Sequence, residues 1–264
     1  MVLERIISIR DALNHPWWMF VIGGIISLIC LFISFLLFPQ SIGLFTSFLI
    51  TISMTPLMLK LNTYEEATTE KEIENHVNKN FFKRHSHILS IYTGFFAGMI
   101  LFLSIAFLLL PETTVQKLFE DQIKEINLIR GSAIFSSTLE KIVFNNIGVL
   151  VLSVILSFLF GAGAVFILSW NASILATAIG LTARSIGGIH SLPIAVLVYF
   201  PHGSLEILAY FVGAIAGGMI SAAFTKRNSK LFWSVTKDSL KLVVAAIIIL
   251  VVAGVIETTS IVIS

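Results

Sequence analysis

The sequence predicts an all-α fold: a polytopic transmembrane helix bundle of about six to seven spans, with one broken or re-entrant segment. Composition is the first reason. The chain has 264 residues, of which 56% are hydrophobic and 12% charged, with a mean hydropathy of +0.95. A soluble domain carries about twice that share of charge. The second reason is length: the apolar tracts 17–38, 42–59, 88–110, 144–170, 186–200, 203–224 and 242–256 reach or approach the roughly 20 helical residues that cross a hydrocarbon core. The third is punctuation. Trp17, Trp18 and Trp170 fall at tract ends, where amphipathic rings favour the headgroup level, and Pro39 and Pro111 close two runs.

The N-terminal segment carries acidic residues and has no small-residue cleavage site after Phe38, so the tract 17–38 reads as a retained span rather than a cleaved signal. Residues 1–60 then form an N-terminal transmembrane hairpin. Residues 61–87 are a charged cytoplasmic connection with a solvated or interfacial helix over 65–84. Residues 88–264 are a five-span core with an outer amphipathic loop at 111–142. In that loop Val115, Leu118, Phe119, Gln122, Ile123 and Ile126 recur at helical spacing, which predicts a helix lying on the outer membrane surface. Docking a partner is the second use of such a face. His85 and His87 mark the headgroup boundary.

Basic residues set the orientation. Arg5 and Arg10 precede the first span, Lys60, Lys71, Lys79, Lys83 and Arg84 fill the second connection, and Lys226, Arg227, Lys230, Lys237 and Lys241 follow the sixth tract. A cytoplasmic N-terminus puts all three groups inside and the C-terminus outside. The expected location is the cell membrane, multi-pass. The stretch 171–200 is too long for one span at about 45 Å of helix. Gly187-Gly188 offers a break and Pro193 a second distortion, so the segment is broken, re-entrant or strongly tilted.

Polar residues inside the apolar half carry the functional interest. Arg184 and Glu206 are the charges within 144–224, accompanied by Asn145, Asn146, Asn171, His190 and His202. Each ionisable group costs about 2.5–3.5 kcal/mol to insert, so these side chains face the bundle interior or a cavity. His202 and Glu206 are four apart and share a helix face. Alternating spans bring Asn145 and Asn146 to the same outer-leaflet level, while Asn171 falls at the opposite membrane face as the cap of a helix starting there. Such a cluster serves first as a hydrogen-bonded lock between helices, second as a proton or ion site, and last as chemistry. Arg184 is a candidate partner for Glu206. His202 and Glu206 are two ligands where a catalytic zinc site uses three, so no metal and no cofactor is expected. The single cysteine, Cys30, lies in an apolar run, which excludes an internal disulfide framework and a cysteine zinc cluster. Gly161-Ala162-Gly163-Ala164 and Gly213-Ala214-Ile215-Ala216-Gly217-Gly218 put small residues on helix faces for close packing, within the chain or across a dimer. No basic stripe with exposed aromatics points to nucleic acid.

The motifs Phe144-Asn145-Asn146, Phe160-Gly161-Ala162-Gly163, Trp170-Asn171-Ala172-Ser173 and Pro201-His202-Gly203-Ser204-Leu205-Glu206 together resemble the stage II sporulation protein M family, over about residues 88–256. The Trp-Asn-Ala-Ser form is similar to its archaeal branch. The resemblance implies a five-span core, recurrent polar positions at Asn146, Asn171, His202, Gly203 and Glu206, and a membrane scaffold without established enzyme activity. In sporulating bacteria the family member anchors cell-wall-degrading partners at the engulfing membrane. The hairpin 17–59 and the connection after it are additions to the short bacterial form.

The functional expectation is a non-enzymatic integral membrane scaffold in the lipid bilayer, a homodimer that organises membrane-associated or cell-envelope partner proteins. The alternative is a transporter or ion-binding protein using the His202/Glu206 cluster. An intramembrane hydrolase ranks last, because His-Glu-x-x-His is absent.

Overall fold

A computed structural model of the chain describes residues 15–74, 86–130, 135–160, 163–225 and 229–263. The connection 75–85 with His85, the pair Gly161-Ala162, and Lys226 and Arg227 therefore lie outside the described residues. Among the described residues the structure is helical without strands, and seven helices are long and apolar enough to cross a membrane. The chain is a multi-span membrane protein, as composition predicts.

Two helices open it: α1 (Pro16–Leu37), started by a proline at a position whose N–H needs no partner, and α2 (Ile42–Glu74). The Phe38 and Phe45 rings stack at 3.8 Å across the turn between them. α3 (Ser86–Leu109) is followed by the short α4 (Glu112–Leu118) and α5 (Glu120–Arg130). Then come α6 (Phe135–Phe160), α7 (Ala164–Ile186), a 3-10 turn (Gly188–Ser191), α8 (Leu192–Thr225) and α9 (Ser229–Ile263). Hydroxyls inside the spans return to their own helix, as Thr46 donating to the Ile42 carbonyl at 2.7 Å and Thr51 to Ser47 at 2.7 Å, so they cost little in lipid.

The helices divide into two packed groups around one core. α1 lies on α3, where Gly23 and Gly98 let the backbones touch: a Cβ on either would strike a carbonyl oxygen of the other helix, that of Phe95 or Phe20. α3 runs beside α7, and Ser104 Oγ donates to its own Ile100 carbonyl at 2.8 Å and to the Ala176 carbonyl at 3.0 Å. The second group is α6, α8 and α9. Rings of Phe96 and Tyr92 meet Phe211 of α8, at 5.5 Å and 5.4 Å, and join the groups.

Three span boundaries differ from the sequence reading. The tract 144–170 is not one span: α6 ends at Phe160, α7 begins at Ala164, and Trp170 and Asn171 lie inside α7. Of the Gly-Ala-Gly-Ala run, Gly163 directly precedes α7 and Ala164 begins it, buried at 1% exposure; hydropathy misses this boundary because glycine and alanine are not polar. The break near Gly187-Gly188 is real and separates two full spans; Gly188 has φ +74°, a backbone that suits glycine. Pro193 does not distort a helix but sits in the first turn of α8, where its missing N–H costs nothing. Pro201 lies inside the same helix, so 186–200 and 203–224 belong to one element of 34 residues, about 51 Å long.

The amphipathic segment also differs from expectation. It is two helices broken at Phe119, and its apolar face docks on the bundle instead of lying free on the membrane. Val115, Leu118, Phe119, Gln122 and Ile126 are buried, and Phe119 meets Phe107 of α3 at 5.2 Å between ring centroids.

Candidate functional site

α6 contributes Asn146, α8 contributes His202, Glu206 and Tyr210, and α9 contributes Glu257. On α8 the three fall four residues apart and so line one face. That face meets α6 because small residues continue it: a Cβ on Gly217 would strike the Val154 carbonyl oxygen, and one on Gly213 the Leu150 side chain. Gly254 does the same for α9, with Val143 of α6 2.9 Å from where its Cβ would stand. The expected small-residue face thus exists and is used within the chain.

Asn146 is buried, and its Nδ2 donates to Glu206 Oε1 at 2.9 Å. Glu257 of α9 is the acidic neighbour of Glu206. Asn145 is exposed and donates to Asn146 Oδ1 at a long 3.4 Å. Tyr210 is 2% exposed, its hydroxyl has no hydrogen-bond partner among the described residues, and it lies close enough to Glu206 and Glu257 to feel both charges. His202 is 4% exposed, with its ring tilted against Tyr199 and its Nδ1 likewise without a partner among the described residues. Gly203 makes room for Leu175 of α7.

Depth follows from helical rise. Asn146 stands five residues from Lys141, about 7 Å along α6, and Glu257 sixteen residues from Lys241, about 24 Å along α9. Together these are about 31 Å, the thickness of one hydrocarbon core. The cluster therefore sits within the membrane, nearer the Lys141 side.

The other predicted positions are elsewhere. Arg184 does not pair with Glu206. It lies at the far end of α7, ion-paired to Glu112, and donates Nη2 to the carbonyls of Phe107 at 2.6 Å and Leu110 at 3.1 Å. Its guanidinium also stands 4.9 Å from the Phe107 ring centroid. Those carbonyls end α3, so Arg184 caps that helix and joins it to α7 and α4. Glu112 is exposed, and its carboxyl is held below the usual carboxylate range by the Gln116 amide first and by Arg184 next. His190 is exposed in the 3-10 turn, not in the cluster. Asn171 is neither a cap nor at a membrane face: inside α7, its Nδ2 donates to its own Ile167 carbonyl at 2.9 Å.

Sequence reasoning missed Glu257 and Tyr210. Glu257 directly follows the apolar tract 242–256, so it reads as the polar end of the last span; α9 instead continues to Ile263 and keeps it in the bundle. The available signal was positional, since α9 ends on the side where α6 begins. Tyr210 reads as one more aromatic until the spacing from Glu206 is counted. Gln122 was named only as part of an amphipathic face. It is 2% exposed and donates to Ser173 Oγ of α7 at 3.1 Å, a polar tie between α5 and the bundle.

Among known proteins, the family model for stage II sporulation protein M matches residues 34–260. No curated protein and no solved structure matches the chain. The matched stretch begins inside α1 and includes Asn146, Asn171, His202, Gly203, Glu206 and Glu257.

Proposed function

Because the chain belongs to the stage II sporulation protein M family, we propose that it is a non-enzymatic membrane scaffold that organises partner proteins at the bilayer. The observation that supports this is where the intramembrane polar groups go. Asn146 donates to Glu206 and ties α6 to α8, and Arg184 ties α7 to α3 and α4. Such ties hold a bundle in one shape, which a platform for other proteins needs.

In this reading the N-terminus and the basic connections are cytoplasmic and the C-terminus is outside, since seven spans place the termini on opposite sides. The α4–α5 pair and the Arg184 end then face outward, where membrane-associated or cell-envelope partners are met. The scaffold acts as a homodimer. Gly213 and Gly217 are already covered by α6, so a second copy needs another face. Gly148 has open space before it and lies between exposed Phe144 and Leu152 on α6, which offers one.

Crosslinking and co-purification of the tagged chain from native membranes is the test. A discrete set of proteins retained by the wild type and reduced by Asn146→Ala supports the scaffold. A transport flux abolished by Glu206→Gln, with folding and assembly intact, overturns it.

A further inference from the structure

Three asparagines lie in the candidate spans, and two of them place their amides within the chain. Asn171 donates to its own Ile167 carbonyl at 2.9 Å, and Asn146 donates to Glu206 at 2.9 Å. Asn145 differs. It is exposed and stands seven residues into the candidate span Thr138–Phe160, about 10 Å along the helix. Its hydrogen bond among the described residues is the long 3.4 Å donation to Asn146 Oδ1. The Asn145 Oδ1 and its second N–H therefore face hydrocarbon, which offers neither donor nor acceptor. Exposed hydroxyls escape this by returning to their own helix, as Thr259 to the Val255 carbonyl at 2.7 Å and Ser260 to Ile256 at 3.0 Å.

The spacing around Asn145 says what meets it. Asn145, Gly148, Leu152, Ile155 and Leu159 follow one another at three, four, three and four residues, and all are exposed. That is the 3.5-residue seam of paired helices, in which a single asparagine fixes register and the number of strands. Gly148 has nothing within 4 Å of where a Cβ would stand, so a second helix can come close at the level of the amide. Leu150 and Val154, which meet α8, lie on another side of α6. α9 exposes an apolar face too, with Val244 at 50% and Ile248 at 60%, but that face carries no amide.

We propose that α6 pairs in parallel with α6 of a second copy of this chain, the two Asn145 amides hydrogen-bonding to each other across a two-fold axis. This rests on the homodimer of the scaffold reading and gives it an interface. A second copy suits the face because an amide is its own complement, each supplying one N–H and one carbonyl oxygen, and two-fold symmetry sets Asn145 opposite Asn145. Two copies inserted the same way run parallel, which keeps the seam in register. From Asn145 to Leu159 it extends fourteen residues, about 21 Å, and so stays inside the hydrocarbon core.

The test uses the full chain carrying Cys30→Ser in phosphatidylcholine vesicles at several lipid-to-protein ratios. With one cysteine introduced at a time, Leu152→Cys and Ile155→Cys give disulfide-linked dimers on mild oxidation, whereas Val244→Cys and Ile248→Cys do not. By energy transfer between labelled chains, Asn145→Leu raises the dissociation constant about tenfold, the scale of an interhelical amide bond, and Asn145→Gln restores most of the affinity. Gly148→Leu blocks the approach and removes the Leu152→Cys crosslink. The crosslinks leave Asn145 in place, so they decide the matter where a leucine variant does not fold. Dimers that crosslink through α9 and not α6, or an Asn145→Leu dimer as tight as the wild type, overturn this interface and leave the homodimer standing. A Leu152→Cys crosslink in native membranes to a different protein and not to itself gives the face another occupant and overturns the proposal. Monomers at every ratio overturn the dimer as well, while the scaffold is judged separately by whether partner proteins co-purify.

Discussion

At the scale of single residues, each buried polar group is judged by where its hydrogen bonds go. Asn146 gives Glu206 a donor from another helix. Removing it in Asn146→Ala should cost about 1 kcal/mol, the usual worth of an interhelical bond in lipid, and Asn146→Asp should cost more by adding a third acid. Denaturation in mixed micelles measures both, and an alanine variant as stable as the wild type would show that the bond holds nothing. Arg184 is worth more, because it satisfies two terminal carbonyls of α3 and pairs with Glu112. Arg184→Ala should lower stability by about 2 kcal/mol. Its partner has a pH signature. The Glu112 carboxyl is depressed in the folded protein, so its contribution is complete above the ordinary carboxylate range and is lost as pH falls through the lowered value. Glu112→Gln should therefore flatten the acid limb of a stability–pH profile and leave neutral and alkaline behaviour alone. An acid limb identical to wild type would remove Glu112 from the acid response.

At the scale of helices, close approach rather than hydropathy decides what packs on what. Gly217 lets α8 reach the backbone of α6, and a Cβ there would strike the Val154 carbonyl. Gly217→Val should push the helices apart at a cost of about 1–3 kcal/mol. It should also weaken the Asn146–Glu206 bond, detected as loss of a crosslink between cysteines placed at Leu150 and Gly213. Retention of that crosslink at wild-type rate would mean that the helices do not need this contact. The pair α4–α5 is held by its apolar face and by Gln122 on Ser173. Gln122→Ala should raise hydrogen exchange in α4 and α5 while leaving α7 protected, and unchanged exchange would show that the apolar face suffices. These helices are also where sequence reading was weakest. An amphipathic stripe at 115–126 is the same pattern whether it rests on lipid or on protein, and only the neighbouring Phe107 and Ser173 distinguish the cases.

At the scale of the whole molecule, the proposed topology, with seven candidate spans and lysine and arginine kept inside, puts the termini on opposite sides. Cysteines introduced near residues 12 and 262 in a Cys30→Ser background should label with an impermeant maleimide from opposite faces of intact cells, the second from outside. Labelling of both from one face would contradict the span count. Cys30 is buried at 4% exposure, and its replacement by serine changes little volume, the new hydroxyl being able to donate to a carbonyl of its own helix as other hydroxyls in the spans do.

Composition and tract length alone determine that this chain is a helical membrane bundle, because lipid leaves backbone groups no partner but their own helix. The motifs around Asn146 and His202–Glu206 were also readable, since the level shared by two helix starts follows from alternation, and the family match agrees with the resemblance they carry. Tertiary structure decided the rest. It ended one helix at Phe160 and began the next at Ala164, where a sequence of small residues leaves no dip in hydropathy. It carried Arg184 away from Glu206 to the end of α3, and it brought Glu257 from 51 residues further along the chain onto Glu206. Hydropathy gives the depth of a residue, and periodicity gives its face within one helix. Which faces meet is a property of packing between helices, set by where glycine lets two backbones touch, and only the folded bundle states it.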